Sequence, residues 1–107
     1  MIAAFSVAPT VTNNPRAEMS DAVAQAVAVV RDSGLPHETN AMFTIVEGEW
    51  DEVMDVIKRA TDAVRAVSPR VSLVIKVDIR EGYTDQLHQK MDSLEKALRY
   101  KEGKLND

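Results

Sequence analysis

The chain contains no cysteine. That excludes a disulfide framework, a thiolate nucleophile and a cysteine-built zinc site. It also has no excess of base: 13 Lys and Arg stand against 17 Asp and Glu, a formal net charge of −4. An acidic chain without a basic stripe is poorly suited to a phosphate backbone, so nucleic acid is not an expected partner. No stretch approaches the ~20 apolar residues of a membrane span, so no membrane partner is expected. The start, Met1-Ile2-Ala3-Ala4-Phe5, lacks the basic region of a signal peptide, which makes the cytoplasm the expected location. There is no Gly-rich phosphate loop, no His/Asp/Glu cluster at ligand spacing and no evident nucleophile–base pair. No metal or cofactor is therefore expected, and no catalytic constellation is evident.

What is present is 107 residues, 45% apolar and 28% charged. That is the size and composition of one globular domain, and such a chain buries roughly two-thirds of its unfolded surface. Internal repeats at solenoid period and low-complexity segments are both missing.

Taken in order, Ile2–Val11 reads as a strand with small apolar residues on both sides, as in the middle of a sheet. Pro9 removes one ladder donor near its end, and Thr12-Asn13-Asn14-Pro15 is a loop by composition. Ser20 can cap a helix in which Ala22, Val23, Ala26, Val27 and Val30 recur at helical spacing until Gly34. Pro36–Asn40 is short, polar and extended. Ala41-Met42 can turn the chain so that Phe43–Glu47 returns as a second strand; one long strand from His37 to Glu47 is the alternative.

Trp50, Val53, Met54, Ile57, Ala60, Val64 and Val67 form one helical stripe ended by Ser68-Pro69, which places Trp50 in the core. Val71, Leu73, Ile75, Val77 and Ile79 then alternate with Ser72, Val74, Lys76, Asp78 and Arg80, the strongest strand pattern in the chain. Its apolar face belongs on the helices, and its other face carries a row of charges. Glu81-Gly82-Tyr83 turns the chain, Thr84 is the expected N-cap, and Leu87, Met91, Leu94 and Leu98 make a narrow seam on a last helix. Lys101–Asp107 is a polar tail expected to fray.

Strand, helix, hairpin, helix, strand, helix predicts an α+β fold: a ferredoxin-like βαββαβ sandwich with an additional C-terminal helix. Both sandwich helices cover one sheet face. The other face, apolar but also bearing Lys76 and Asp78, is expected to meet another subunit, in a dimer or tetramer.

Within this frame one stretch concentrates polar groups. Thr39–Trp50 is half strand and half helix start, with Gly48 at the break and Glu49, Asp51 and Glu52 where the helix dipole favours acids. Glu47 is thus a carboxylate at a strand tip, with Thr44 and Asn40 just upstream. Such turns above a rigid sheet are common ligand positions, although capping and solvation of the turn would use the same residues.

Several motifs are spread along the chain: Pro9-Thr10, Ser20, Ser33-Gly34-Leu35, Asn40-Ala41-Met42-Phe43-Thr44, Val46-Glu47-Gly48-Glu49-Trp50, Arg70, and Lys76-Val77-Asp78-Ile79-Arg80. Through them nearly the whole chain resembles the thiamine-binding-protein family of small ferredoxin-like domains. The resemblance implies binding of thiamine or its hydroxymethylpyrimidine moiety, no catalysis, and a homo-oligomer, often a tetramer built sheet to sheet. Thr44 and Glu47 match the family's Thr and Glu. Three positions depart from its pattern: Ala41 for a Pro, Phe43 for a Gly, and His37 for an aromatic, usually Tyr. Phe43 adds volume where backbone would approach a ligand.

The chemistry is compatible with that ligand. A carboxylate, Glu47 or Asp78, can accept from the exocyclic amine of an aminopyrimidine, and Thr44 and Asn40 can complete the edge. Met42, Phe43 or Trp50 can supply a polarisable or flat wall. Lys76 lies beside Asp78 on the strand face and can either approach the ligand or pair across an interface. The candidate ligand-binding residues are therefore Thr44, Glu47, Asn40, Met42, Asp78 and Lys76. Two other readings remain: a cofactor-free enzyme of the dimeric ferredoxin-like type with His37 as base, and an assembly domain with a vestigial pocket.

Overall fold

The computed structural model describes residues 1–10, 15–82 and 84–106. The element order is β1 (Ile2–Pro9), α1 (Pro15–Asp32), β2 (His37–Thr39), β3 (Thr44–Glu47), α2 (Trp50–Arg65), β4 (Val71–Asp78) and α3 (Gln86–Asn106). The four strands form one antiparallel sheet in the order β2-β3-β1-β4. This is the ferredoxin-like arrangement, with α3 as the additional C-terminal helix. The small apolar β1 is interior, as its two-sided pattern predicts. The expected end of the first strand at Val11, the loop over 12–14, the turn residue Tyr83 and the terminal Asp107 lie outside the described residues.

One face of the sheet is sealed. Ala3 and Phe5 of β1 and Val46 of β3 meet Ala22, Ala26 and Val30 of α1 and Val53, Val56, Ile57, Ala60 and Val64 of α2. The i, i+4 alanines of α1 let the helix approach closely, because Ala carries little side-chain volume and loses no rotamer entropy. Helix α2 starts with a capping box, Glu49 and Glu52 each satisfying the other's backbone N–H. Gly34, at φ +76°, supplies the left-handed turn that stops α1.

The hairpin forms, and the single long strand does not. Asn40 Oδ1 accepts hydrogen bonds from the backbone N–H groups of Met42 (2.8 Å) and Phe43 (2.9 Å), and Asn40 N donates to Phe43 O (3.0 Å). An Asx turn thus replaces the Asn-Gly that would ordinarily mark such a hairpin.

Several local expectations are corrected. Helix α1 begins at Pro15, whose fixed φ suits a first helical position, so Ser20 lies in its second turn and is not the cap. Trp50 is 53% exposed rather than core. It lies on the core stripe by spacing, but at the first residue of α2, and helical side chains lean toward the N-terminus, beyond the sheet that would cover them. Strand β4 ends at Asp78, leaving Ile79 exposed. Helix α3 continues to Asn106, through most of the tail expected to fray.

The seam of α3 is not packed within the chain. Only Leu87 is buried; Met91, Leu94 and Leu98 are each about half exposed. The helix projects from the sandwich. The radius of gyration is 17.1 Å, against about 13 Å for a compact chain of this length.

Candidate functional site

The face of the sheet opposite the helices is set by register. Glu38 on β2 lies opposite Ile45 on β3, Ile45 opposite Ala4 on β1, and Ala4 opposite Lys76 on β4. Two residues on, Glu47, Ile2 and Asp78 form the next row. Directly paired residues share a face, so charged side chains flank an apolar strip of Ile45, Ala4 and Ile2. The start of α3 crosses this strip. Together they enclose an open cavity of about 240 Å³ lined by Ile2, Ala4, Glu38, Ile45, Lys76, Asp78, Gln86, Leu87 and Met91.

Glu47 holds the roof of this cavity in place. The residue is 6% exposed, and its carboxylate accepts two hydrogen bonds from the start of α3, from Gln86 N to Oε2 (2.7 Å) and from Leu87 N to Oε1 (3.1 Å). Helix starts leave backbone N–H groups without intrahelical partners and carry the positive end of the dipole, so a carboxylate is the fitting cap. This cap comes from 39 residues away in sequence rather than from Thr84. Thr84 instead offers its carbonyl to Gln86 Nε2, and Asp85, at φ +56°, accepts at its carbonyl from Gln89 N. The neighbouring backbone is pinned as well: Glu47 N donates to Pro36 O and Gly48 N to Met1 O.

The six sequence-predicted residues are not brought into one constellation. Thr44 and Glu47 are three apart on a strand, an odd separation that sends their side chains to opposite faces. Thr44 lies opposite the core residue Phe5, with its Oγ1 3.5 Å from Thr39 Oγ1. Asn40 uses its side-chain oxygen in the hairpin turn, and Met42 at the tip is 73% exposed. These three line a second open cavity of about 240 Å³ between the hairpin, β1 and α1, which Phe43 also lines. Asp78 and Lys76 line the cavity under α3, and Glu47 acts at its roof.

Glu38 was missed by sequence reasoning. Only the register supplies the signal: β2 pairs with β3 with Glu38 opposite Ile45, and the pairings onward through β1 to β4 place it on the same face as Lys76. His37 lines neither cavity, and its Nδ1 lies 2.8 Å from Leu35 O. Among the described residues no group of three or more His, Asp or Glu side chains is placed to hold a metal ion, and no helix is long and apolar enough to cross a membrane.

Comparison with known proteins bears on this architecture. A family model described as thiamine-binding protein matches residues 3–95. A UPF0045 protein of Mycobacterium bovis is 50% identical over 99 residues, 92% of this chain and 94% of its own length. The crystal structure of a hypothetical protein from Methanocaldococcus jannaschii superposes with a TM-score of 0.75 at 30% identity, covering 87% of this chain and 93% of that one. A Thermotoga maritima protein assigned provisionally to thiamine biosynthesis or salvage shares the fold, with a TM-score of 0.70 at 21% identity over 86% of this chain and 96% of its own.

Proposed function

The chain belongs to the thiamine-binding protein family, and from that premise we propose that it is a cytoplasmic, non-enzymatic binder of thiamine or of its hydroxymethylpyrimidine half. The observation that carries the reading is the cavity under α3, an apolar floor bounded by the carboxylates of Glu38 and Asp78. Its volume of about 240 Å³ lies just below the ~300–1,000 Å³ of drug-sized sites, which suits a ligand built on small rings.

The recognition follows from the donors and acceptors of each group. An aminopyrimidine offers N–H donors on one edge, and a carboxylate is an acceptor-only group that makes strong charge-assisted bonds. The flat ring faces rest on Ile45, Ala4 and Leu87, with the polarisable sulfur of Met91 above. The positive thiazolium is offset by the same carboxylates. Glu47 acts one step back, holding α3 over the site.

The same reading makes the protein a homo-oligomer. A helix that carries Met91, Leu94 and Leu98 half-exposed while projecting from its own sandwich is best covered by a second copy. Light scattering at micromolar concentration should return a dimer or tetramer.

Isothermal titration with thiamine and with free hydroxymethylpyrimidine tests the ligand. Wild type should bind at least one of them, and Asp78→Asn and Glu38→Gln should weaken binding roughly tenfold or more, the worth of a charge-assisted contact. Absence of binding to both compounds overturns the proposal. Undiminished binding in both variants moves the ligand out of this cavity.

A further inference from the structure

We infer that the cavity under α3 is polarised for a ligand with a cationic heterocycle at one end and a phosphate ester at the other, and that Lys76 is the residue that selects the ester. The inference rests on the thiamine reading above and narrows it to phosphorylated forms.

The register supplies the geometry. Glu38 and Lys76 occupy the two ends of a single row, Glu38–Ile45–Ala4–Lys76, which crosses all four strands. Three inter-strand steps of about 4.8 Å separate their Cα atoms by about 14 Å. The row is negative at the β2 edge, apolar in the middle and positive at the β4 edge. Neither Glu38 nor Lys76 forms an ion pair with any described residue, although both line the same cavity. That separation keeps them from neutralising each other directly, while both border the same floor. A ligand holding a ring system and a short phosphorylated arm spans that distance.

Asp78 lies two residues beyond Lys76 on the same strand face, in the row of Ile2 and Glu47. It stands at the same β4 edge, one row further on, and borders the floor beside Ile2. Lys76 is thus the one cation among the described residues lining the cavity, set against two carboxylates. A neutral hydroxyethyl arm would gain little from an ammonium group. A phosphate monoester would gain a charge-assisted contact and would relieve the repulsion between Lys76 and the ligand's own positive ring. The β4 edge is open to water, so the phosphate can remain partly hydrated while it meets the ammonium.

The test compares thiamine with thiamine monophosphate by isothermal titration, using the full chain and the variants Lys76→Gln and Glu38→Gln, each checked by circular dichroism. Wild type should bind the monophosphate roughly tenfold more tightly than thiamine, a margin of one charge-assisted contact. Lys76→Gln should remove that margin, bringing the affinities for thiamine and its monophosphate together. Glu38→Gln should weaken both ligands and preserve their ratio. Inorganic phosphate alone should compete only weakly. If wild type binds thiamine as tightly as its monophosphate, the ester site is wrong and the thiamine reading stands. If the preference survives in Lys76→Gln, the phosphate lies elsewhere. Inorganic phosphate competing as strongly as the ester would reduce the site to a simple anion contact. If neither thiamine nor its monophosphate binds, this inference falls whatever the pyrimidine does.

Discussion

The two faces of the sheet are built on opposite principles. The helix-facing side is closed by side-chain volume: Val46, Ile57, Val53 and Val30 are almost wholly removed from water. The other side is roofed by the start of a helix whose first turn is fastened through hydrogen bonds from Gln86 and Leu87 to one buried carboxylate. Apolar burial is non-directional and scales with area, so it makes a stable body but specifies no ligand. Directed polar contacts over an apolar floor can specify a ligand, and they can be released locally without unfolding the body. Stability therefore resides mainly on one face, and the proposed recognition on the other.

The largest effect that would sharpen this contrast is Ile57→Ala. Ile57 is among the largest fully buried side chains, and its truncation should cost about 2–5 kcal/mol of unfolding free energy. Denaturant titration reads it directly. A cost below ~1 kcal/mol would mean that the helix-facing side is not the main store of stability.

Glu47→Gln comes next. The amide keeps the shape, but one acceptor oxygen becomes a donor facing a backbone N–H. The expected cost is about 1–3 kcal/mol and local to α3. Amide exchange at Gln86 and Leu87 should quicken while that of Val46 and Ile57 is unchanged. Equal acceleration across the core would mean that α3 and the sandwich form one cooperative unit.

Leu94→Asp probes the projecting helix. Leu94 is 52% exposed within the chain, so the substitution should change the stability of an isolated copy by no more than ~0.5 kcal/mol. The mass in light scattering should fall to that of a smaller assembly. A large loss of stability with no change of mass would place Leu94 against its own sandwich.

The smallest effect belongs to Asp62, on the solvent side of α2. Hydrogen bonds and charge from Lys58, then Arg65, hold its carboxyl below its ordinary value of 3.8. Its folded-state pKa is lowered, so whatever it contributes is present above the unfolded pKa and lost as pH falls through the folded one. The pair is exposed and screened. Asp62→Asn should lower the melting temperature only slightly at neutral pH, and its acid unfolding curve should converge with that of wild type below about pH 4, where the wild-type carboxyl is itself protonated.

Much of this molecule is legible in its residues because the relevant information is local. Alternation over Val71–Asp78 and the 3.6 period of Val53, Ile57, Ala60 and Val64 each require only a few neighbours, and both elements form as the pattern predicts. Gly34 and the acids at the start of α2 likewise act within a turn of their own position. The grouping of site residues was less legible because proximity in sequence stood in for proximity in space. Thr44 and Glu47 read as one site at a turn, yet strand periodicity divides them between faces. Trp50 read as core because period alone does not say where the sheet ends beneath a helix.

The order of elements, the ferredoxin-like sandwich and the apolar face that closes it can be read from the residues alone, since these depend on periodicity and on turn chemistry within a few residues. What Glu47 does and which charges share a cavity emerge only once the chain is folded. Glu47 meets backbone N–H groups 39 residues away, and Glu38 joins Lys76 through three strand registers. No local pattern carries such information, because strand order and register, which set these distances, are consequences of how the whole sheet assembles.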